Sequence, residues 1–214
     1  MPAPKKPVEK VDFRKDHKEL FAPSAKAPVL VDVPPFEYVL IDGRGYPGTA
    51  KDFQDKVGVL YGLVYTIKFT LKFDKARPFE FGVAPLSGFY HADDPSIYMD
   101  ASRRDEWTWT LGIPVPDRVT AADFEKARAA LKEKKNPPFL GEARFEVRRE
   151  GKAVQIMYVG PYSGEAPTIQ RLHDFFLAQG YTFNGPHHEI YLGDPRRTAP
   201  EKLRTIIRQP VRKA

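Results

Sequence analysis

The sequence predicts an α+β fold in which two pseudo-symmetric β-α-β-β units form one concave antiparallel sheet with helices on its outer face. Three observations predict it. Short runs of β-branched and aromatic residues alternate with stretches of helical periodicity. Proline, 21 of 214 residues, punctuates many short elements and forms no single tract. A strand–turn–helix pattern also occurs twice. Val39-Leu-Ile-Asp-Gly-Arg-Gly-Tyr46-Pro-Gly48 and Ile156-Met-Tyr-Val-Gly160-Pro-Tyr162-Ser-Gly164 align so that Tyr46 falls on Tyr162, Phe53 on Ile169 and Leu60 on Phe176. Helices on one face of such a sheet leave the other face free.

Residues 1–28 read as an N-terminal arm and linker, with weak helical spacing over Val11–Phe21 (Val11, Leu20, Phe21). The main domain then runs over 29–208, its repeats at about 29–115 and 144–192. Val29–Val33 and Phe36–Ile41 are strands. Asp42-Gly-Arg-Gly-Tyr-Pro-Gly48 is a turn. Thr49 can cap a long helix whose apolar residues, Phe53, Val57, Leu60, Val64, Ile67 and Leu71, step by four and three. A strand over Ile67–Phe73 competes, and helix through about Leu71 is favoured. Glu80–Pro85 reads as a strand and Leu86–Arg104 as an irregular loop. Glu106–Ile113 is a strand with Trp107, Trp109 and Leu111 on one face. Thr120 opens a helix bearing Phe124, Ala127 and Leu131, stopped by Asn136-Pro-Pro138. Arg144–Glu150 and Ala153–Val159 read as a hairpin around Gly151-Lys152. Ser163 precedes a helix carrying Ile169, Leu172 and Phe176, with Gly180 ending it. His187–Leu192 is a strand. Thr198-Ala-Pro-Glu201 has the pattern of a capping box and predicts a last helix through Leu203, Ile206 and Ile207. Residues 209–214 are a basic tail.

Composition excludes several classes. Cysteine is absent, so there are no disulfides, thiolate nucleophiles or Cys-ligated metals, and a reducing, cytoplasmic setting fits. No apolar run reaches the ~18–20 residues that cross a bilayer, so no membrane partner is expected. The start, Met1-Pro-Ala-Pro-Lys-Lys, lacks the apolar segment of a secretory signal. The net charge is +6, and residues 195–214 alone hold seven Lys/Arg against one acid. A basic end without a basic body speaks against a nucleic-acid partner.

Phosphate-loop, HExxH and GxSxG signatures are missing. In His187-His188-Glu189 only His187 and Glu189 share a strand face, too few for a metal without a third ligand, so neither metal nor cofactor is expected. Ile190 and Leu192 should pack on helices, which turns Glu189, His187 and Tyr191 toward the opposite face. Among aromatics there, the carboxyl of Glu189 would lose water and become a usable base; the alternative is a surface acid. Trp107 and Trp109 suit a flat aromatic ligand or a lipophilic cation, or else pack in the core. Phe89 and Tyr90, adjacent in a loop, hint at binding.

Asp42-Gly-Arg-Gly, Leu63-Val-Tyr-Thr-Ile-Lys68, Pro85-Leu-Ser-Gly-Phe-Tyr90, Glu106-Trp-Thr-Trp-Thr110, Val154-Gln-Ile-Met157, Gly160-Pro-Tyr162-Ser, His187-His-Glu-Ile-Tyr-Leu192 and Thr198-Ala-Pro-Glu-Lys-Leu-Arg204 together resemble the stand-alone GyrI-like small-molecule-binding proteins. The resemblance implies two SHS2 modules with a ligand cleft between them, similar to the drug-sensing domains of multidrug-responsive transcription activators. No helix-turn-helix segment accompanies it here. Some stand-alone members look like hydrolases of cyclopropane-containing, DNA-alkylating compounds, which implies that Glu189 activates water. Trp107 and Trp109 would stack on the ligand, and Tyr65, Tyr162 or Tyr191 would donate to its carbonyl oxygen. Phe89, Tyr90 and His187 complete the expected ligand-binding set. The family's glutamate and tryptophans in the first-half motif are replaced by Ser87, Phe89 and Tyr90, which removes a second pocket carboxylate. The expected activity is therefore hydrolysis of such electrophiles, or binding of lipophilic cations without chemistry. The family name's topoisomerase association adds gyrase as a candidate partner.

Overall fold

The structure is a computed structural model describing residues 10–91 and 101–214. Residues 1–9 of the expected arm and linker and residues 92–100 of the expected loop, with Pro95, lie outside the described residues. Strands β1 (Lys10–Val11) and β4 (Glu80–Phe81) form a small parallel pair. The main sheet has nine strands. They are β2 (Val29–Val33), β3 (Phe36–Arg44), β5 (Leu86–His91), β6 (Thr108–Val115), β7 (Arg144–Arg148), β8 (Gly151–Val159), β9 (Tyr181–Phe183), β10 (His187–Tyr191) and β11 (Arg204–Lys213). Its order is β2-β8-β11-β10-β5-β6-β3-β7, with β9 paired to β11, and every pairing is antiparallel. The helices are α1 (Phe13–Asp16), α2 (Lys18–Phe21), α3 (Phe53–Lys72), α4 (Ala121–Lys134) and α5 (Ala166–Ala178).

The repeated β-α-β-β pattern is present, but its second unit runs from Gly151 to Lys213 where 144–192 was expected. β3-α3-β5-β6 and β8-α5-β10-β11 are both β-α-β-β, and in the sheet they run 8-11-10 and then 5-6-3. The two units therefore mirror each other across a pseudo-twofold axis between β10 and β5.

Two short connections curl this sheet. Pro34-Pro35 joins β2 to β3, and two residues join β7 to β8, yet the strands so joined lie toward opposite ends of the order. The inner face brings together residues from distant strands. The Arg148 guanidinium of β7 sits 3.9 Å from the ring centre of Phe89 on β5, and Tyr38 of β3 meets Phe89 edge-on at 5.6 Å. Helices cover the outer face, as expected. Phe53 of α3 packs edge-on against Trp109, and Leu172 and Phe176 of α5 pack with Val154, Ile156 and Ile207.

Several local expectations change. The segment expected as arm and linker is partly core: Phe13, Leu20 and Phe21 are buried. It closes the inner face that was expected to be free, with Glu19 and Leu20 carbonyls accepting from Gln155 and Arg208. Thr49 does not cap α3, which starts at Phe53 without a side-chain cap, whereas Thr120 and Asp123 form a reciprocal capping box on α4. Leu86–His91 is a central strand and not a loop. β7 and β8 do not pair as a hairpin. The expected last helix is a short 3-10 turn (Pro200–Lys202) followed by β11, whose strand takes in most of the expected basic tail. Among the described residues, no helix is long and apolar enough to cross a membrane.

Candidate functional site

α3 packs on β3 and β6, and α5 on β8, β9 and β11. The central strip of β5 and β10 lies between these footprints and forms the floor of a cleft. The register pairs His187 with Tyr90, Glu189 with Gly88 and Tyr191 with Leu86. Since strand side chains alternate, Tyr90, Gly88, His187, Glu189 and Tyr191 share the helix-bearing face. Glu189 was expected to point away from the helices. The reverse holds, because His188 and Ile190 are fully buried on the inner face. His188 bonds Glu150 there through Nδ1 at 2.8 Å.

Gly88 makes room for this floor. A Cβ there would stand 2.9 Å from the Tyr191 hydroxyl and 3.1 Å from Tyr90 Cε2. The Tyr90 and Tyr191 hydroxyls are hydrogen-bonded across it at 2.5 Å. Tyr162, in the turn that leads into α5, meets the Tyr191 ring edge-on at 5.6 Å. Glu189 Oε1 lies 3.2 Å from His187 Nε2, and both side chains are 13% exposed, sheltered but open to solvent.

A second carboxyl stands beside Glu189. Glu165, at the N-cap position of α5, is buried, and its Oε1 has no hydrogen-bond partner among the described residues. Burial and then the Glu189 charge push its pKa up to about 9. Two adjacent carboxyls cannot both ionise cheaply out of water, so one proton stays between them. The same charge reaches the phenols. Burial, with Glu189 second, holds Tyr90 and Tyr191 well above the ordinary phenol range. Burial and the Glu165 and Glu189 charges push Tyr162 up to about 12. All three remain protonated donors at neutral pH. The Thr205 hydroxyl, buried on the same face of β11, lies near enough to Glu165 to act against the rise in its pKa. His173 of α5 is held down to about 4, first by burial and then by His187.

The floor and its margin thus bring together Glu189, Tyr90, Tyr162, His187 and Tyr191 of the expected set. Trp107, half-buried, borders it, with Tyr46 and Tyr90 edge-on at 5.3 and 6.1 Å. Trp109 does not line it. The ring is 1% exposed, its Nε1 donates to the Gly45 carbonyl at 2.8 Å, and it fills the space over Gly43 that any Cβ would occupy. Phe89 is fully buried on the inner face between Arg148 and His188. Tyr65 sits 43% exposed on the outside of α3.

Ser87 also points inward, so a glutamate there would not have reached the cleft. The second carboxyl comes from Glu165, which sequence reasoning missed together with Thr205 and His173. One signal could have found Glu165: it directly follows the repeated turn, where an acid opening a helix reads as ordinary charge–dipole placement. Cavities of about 280 and 460 Å³ lie elsewhere, beside Arg148 and Pro210 and beside Phe13 and Pro34; Glu189 lines neither. Among the described residues, no group of three His, Asp or Glu could hold a metal.

Residues 26–212 match the family described as the GyrI-like small molecule binding domain. No curated protein matches the chain. Among solved structures, a hydrolase from Listeria innocua is 35% identical with a TM-score of 0.82, covering 94% of this chain and all of its own. A second Listeria innocua hydrolase is 34% identical with a TM-score of 0.85, covering 95% of this chain and all of its own. The EcmrR C-terminal domain shares the fold at 14% identity and a TM-score of 0.55, over 87% of this chain and 98% of its own.

Proposed function

The chain belongs to the GyrI-like small-molecule-binding family, and from that premise we propose that it binds flat aromatic electrophiles of the cyclopropanoid class and adds water to them. What carries this reading is the placement of Glu189 beside the buried Glu165, whose carboxyl burial and the Glu189 charge keep protonated. Glu189 takes a proton from a bound water, and the water oxygen bonds to a cyclopropane carbon. The strained C–C bond breaks, and its electron pair moves into the conjugated carbonyl, whose oxygen becomes a phenolate. A tyrosine hydroxyl, Tyr191 or Tyr162, donates a hydrogen bond to that oxygen, and the proton held by Glu189 passes to the phenolate to complete the product. The net change is addition of one water. The phenols act where negative charge develops, and such donors in a sheltered site are among the larger contributions to catalysis. Trp107 and Tyr46 supply ring edges at the cleft's border. Two similar Listeria innocua proteins are described as hydrolases.

The same carboxylate pair favours one other reading. A lipophilic cation could replace the shared proton and be bound without chemistry.

A single experiment separates the readings. The protein is incubated with a spirocyclopropane alkylator, and the water adduct is followed by mass spectrometry. Glu189→Gln should lower turnover by about 10²–10⁴-fold, the usual range for a general base, and keep saturable quenching of tryptophan fluorescence. Quenching without product in the wild type would support the cation-binding reading. Undiminished turnover in Glu189→Gln would overturn the mechanism.

A further inference from the structure

We propose that the solvent face of α3, with Tyr61, Tyr65, Phe69 and Phe73 set beside lysines, docks on an anionic lipid bilayer. These four aromatics recur every four residues and form one continuous ladder. Successive ring centres lie 6.3, 6.2 and 6.5 Å apart. Tyr65, Phe69 and Phe73 are 43%, 48% and 73% exposed. The core of the protein takes the opposite side of the same helix, through Leu60, Leu63, Ile67 and Leu71. A helix that needed only to cover a core would turn polar residues outward. A contiguous aromatic stripe in water instead marks a contact surface.

Charge selects the occupant. On the helix wheel Lys68 and Lys72 lie at the edge of the stripe. Lys72 bonds Glu80 at 3.1 Å, and Lys10 and Lys68 also act on that one carboxylate, so positive charge is in excess there. Lys75, two residues beyond Phe73 and after Asp74, is exposed. A second copy of this chain docking face to face would bring these lysines against their equals. Anionic headgroups would neutralise them while the rings enter the interface, as in helices that lie on membranes. The expectation of no membrane partner rested on the absence of a spanning run, and surface docking requires none. The ladder begins at Tyr61, close enough to Asp194 and Arg196 for both to act on its hydroxyl. It therefore runs from the side of α3 nearest the cleft to the helix end.

The test is co-sedimentation with vesicles of phosphatidylcholine alone and of phosphatidylcholine mixed with phosphatidylglycerol. The wild type should sediment with the anionic vesicles, less so as salt is raised. Phe69→Ser with Phe73→Ser should cut the partition coefficient about tenfold or more. Lys68→Gln with Lys75→Gln should remove the preference for phosphatidylglycerol. Phe73→Ser alone, at the most exposed position, guards against a folding defect, and its thermal unfolding should match the wild type. No sedimentation with anionic vesicles, or wild-type partitioning of the double serine variant, would overturn the proposal. So would a wild-type dimer in analytical ultracentrifugation that the double serine variant dissociates, since a second copy would then be the occupant.

Discussion

Glu165 and Glu189 meet because two local events coincide. Strand alternation turns Glu189 to the helix face, and the Gly-Tyr turn sets Glu165 at the N-cap of α5. Only Glu189 was legible beforehand. Its neighbours in sequence carry the pattern of a strand, whereas Glu165 looks like any acid at a helix start. Trp109 shows the opposite limit. Its spacing from Trp107 was read correctly, but the absence of a side chain at Gly43 lets its ring sink under α3, and that is a contact between distant residues. The proton on Glu165 has a stability consequence. Its pKa is about 9 in the fold against an ordinary 4.5. Between these values the unfolded chain releases the proton and the folded chain keeps it, so stability falls as pH rises through the window. Gln cannot ionise in either state. Glu165→Gln should therefore be more stable than the wild type by roughly 1–3 kcal/mol at neutral pH and equal to it at acid pH. Thermal unfolding at two pH values checks this, and a variant less stable than the wild type at neutral pH would refute it.

Among elements, α3, α4 and α5 were legible because each keeps a helical stripe over three turns or more. The central strands were not. β5 and β11 are buried on both faces, which erases the alternation that marks a half-exposed strand. β5 also carries Ser87 and Gly88, which read as loop. β11 contains Pro210, which falls where the strand exchanges β10 for β9 as its neighbour; the Pro210 carbonyl accepts from Asn184. The capping pattern Thr198-Ala-Pro-Glu201 is real only as a single 3-10 turn. β11 lies between β8 and β10 and holds much of the second unit's core, Ile206, Ile207 and Val211. A chain ending at Lys202 should accordingly lose its cooperative thermal transition. Retention of a cooperative transition would show that the strand is dispensable.

For the whole molecule, the repeat predicted the architecture and the pseudo-twofold axis places the site. The axis passes between β10 and β5, where the Tyr90 and Tyr191 hydroxyls pair across it and Glu189 faces Gly88. One half contributes a carboxylate and the other the space for it. What the repeat could not foretell is the curl, because it depends on strands joined by short links at opposite ends of the sheet. The curl is held by a buried polar cluster on the inner face. Glu150, from the β7–β8 link, bonds His188 and accepts from Arg208 at 3.1 Å. Despite burial, which alone would raise it, the charges of His188 and Arg208 hold its pKa down to about 2. This cluster backs the strand that presents Glu189, so the cleft's floor is fixed from behind. The most direct measurement is a carbon-13 NMR titration of the side-chain carboxyl of Glu165. The account predicts that it keeps its proton through neutral pH, titrates near 9, and moves toward the ordinary carboxyl range in Glu189→Gln. Ionisation of Glu165 at an ordinary carboxyl pH in the wild type would contradict it.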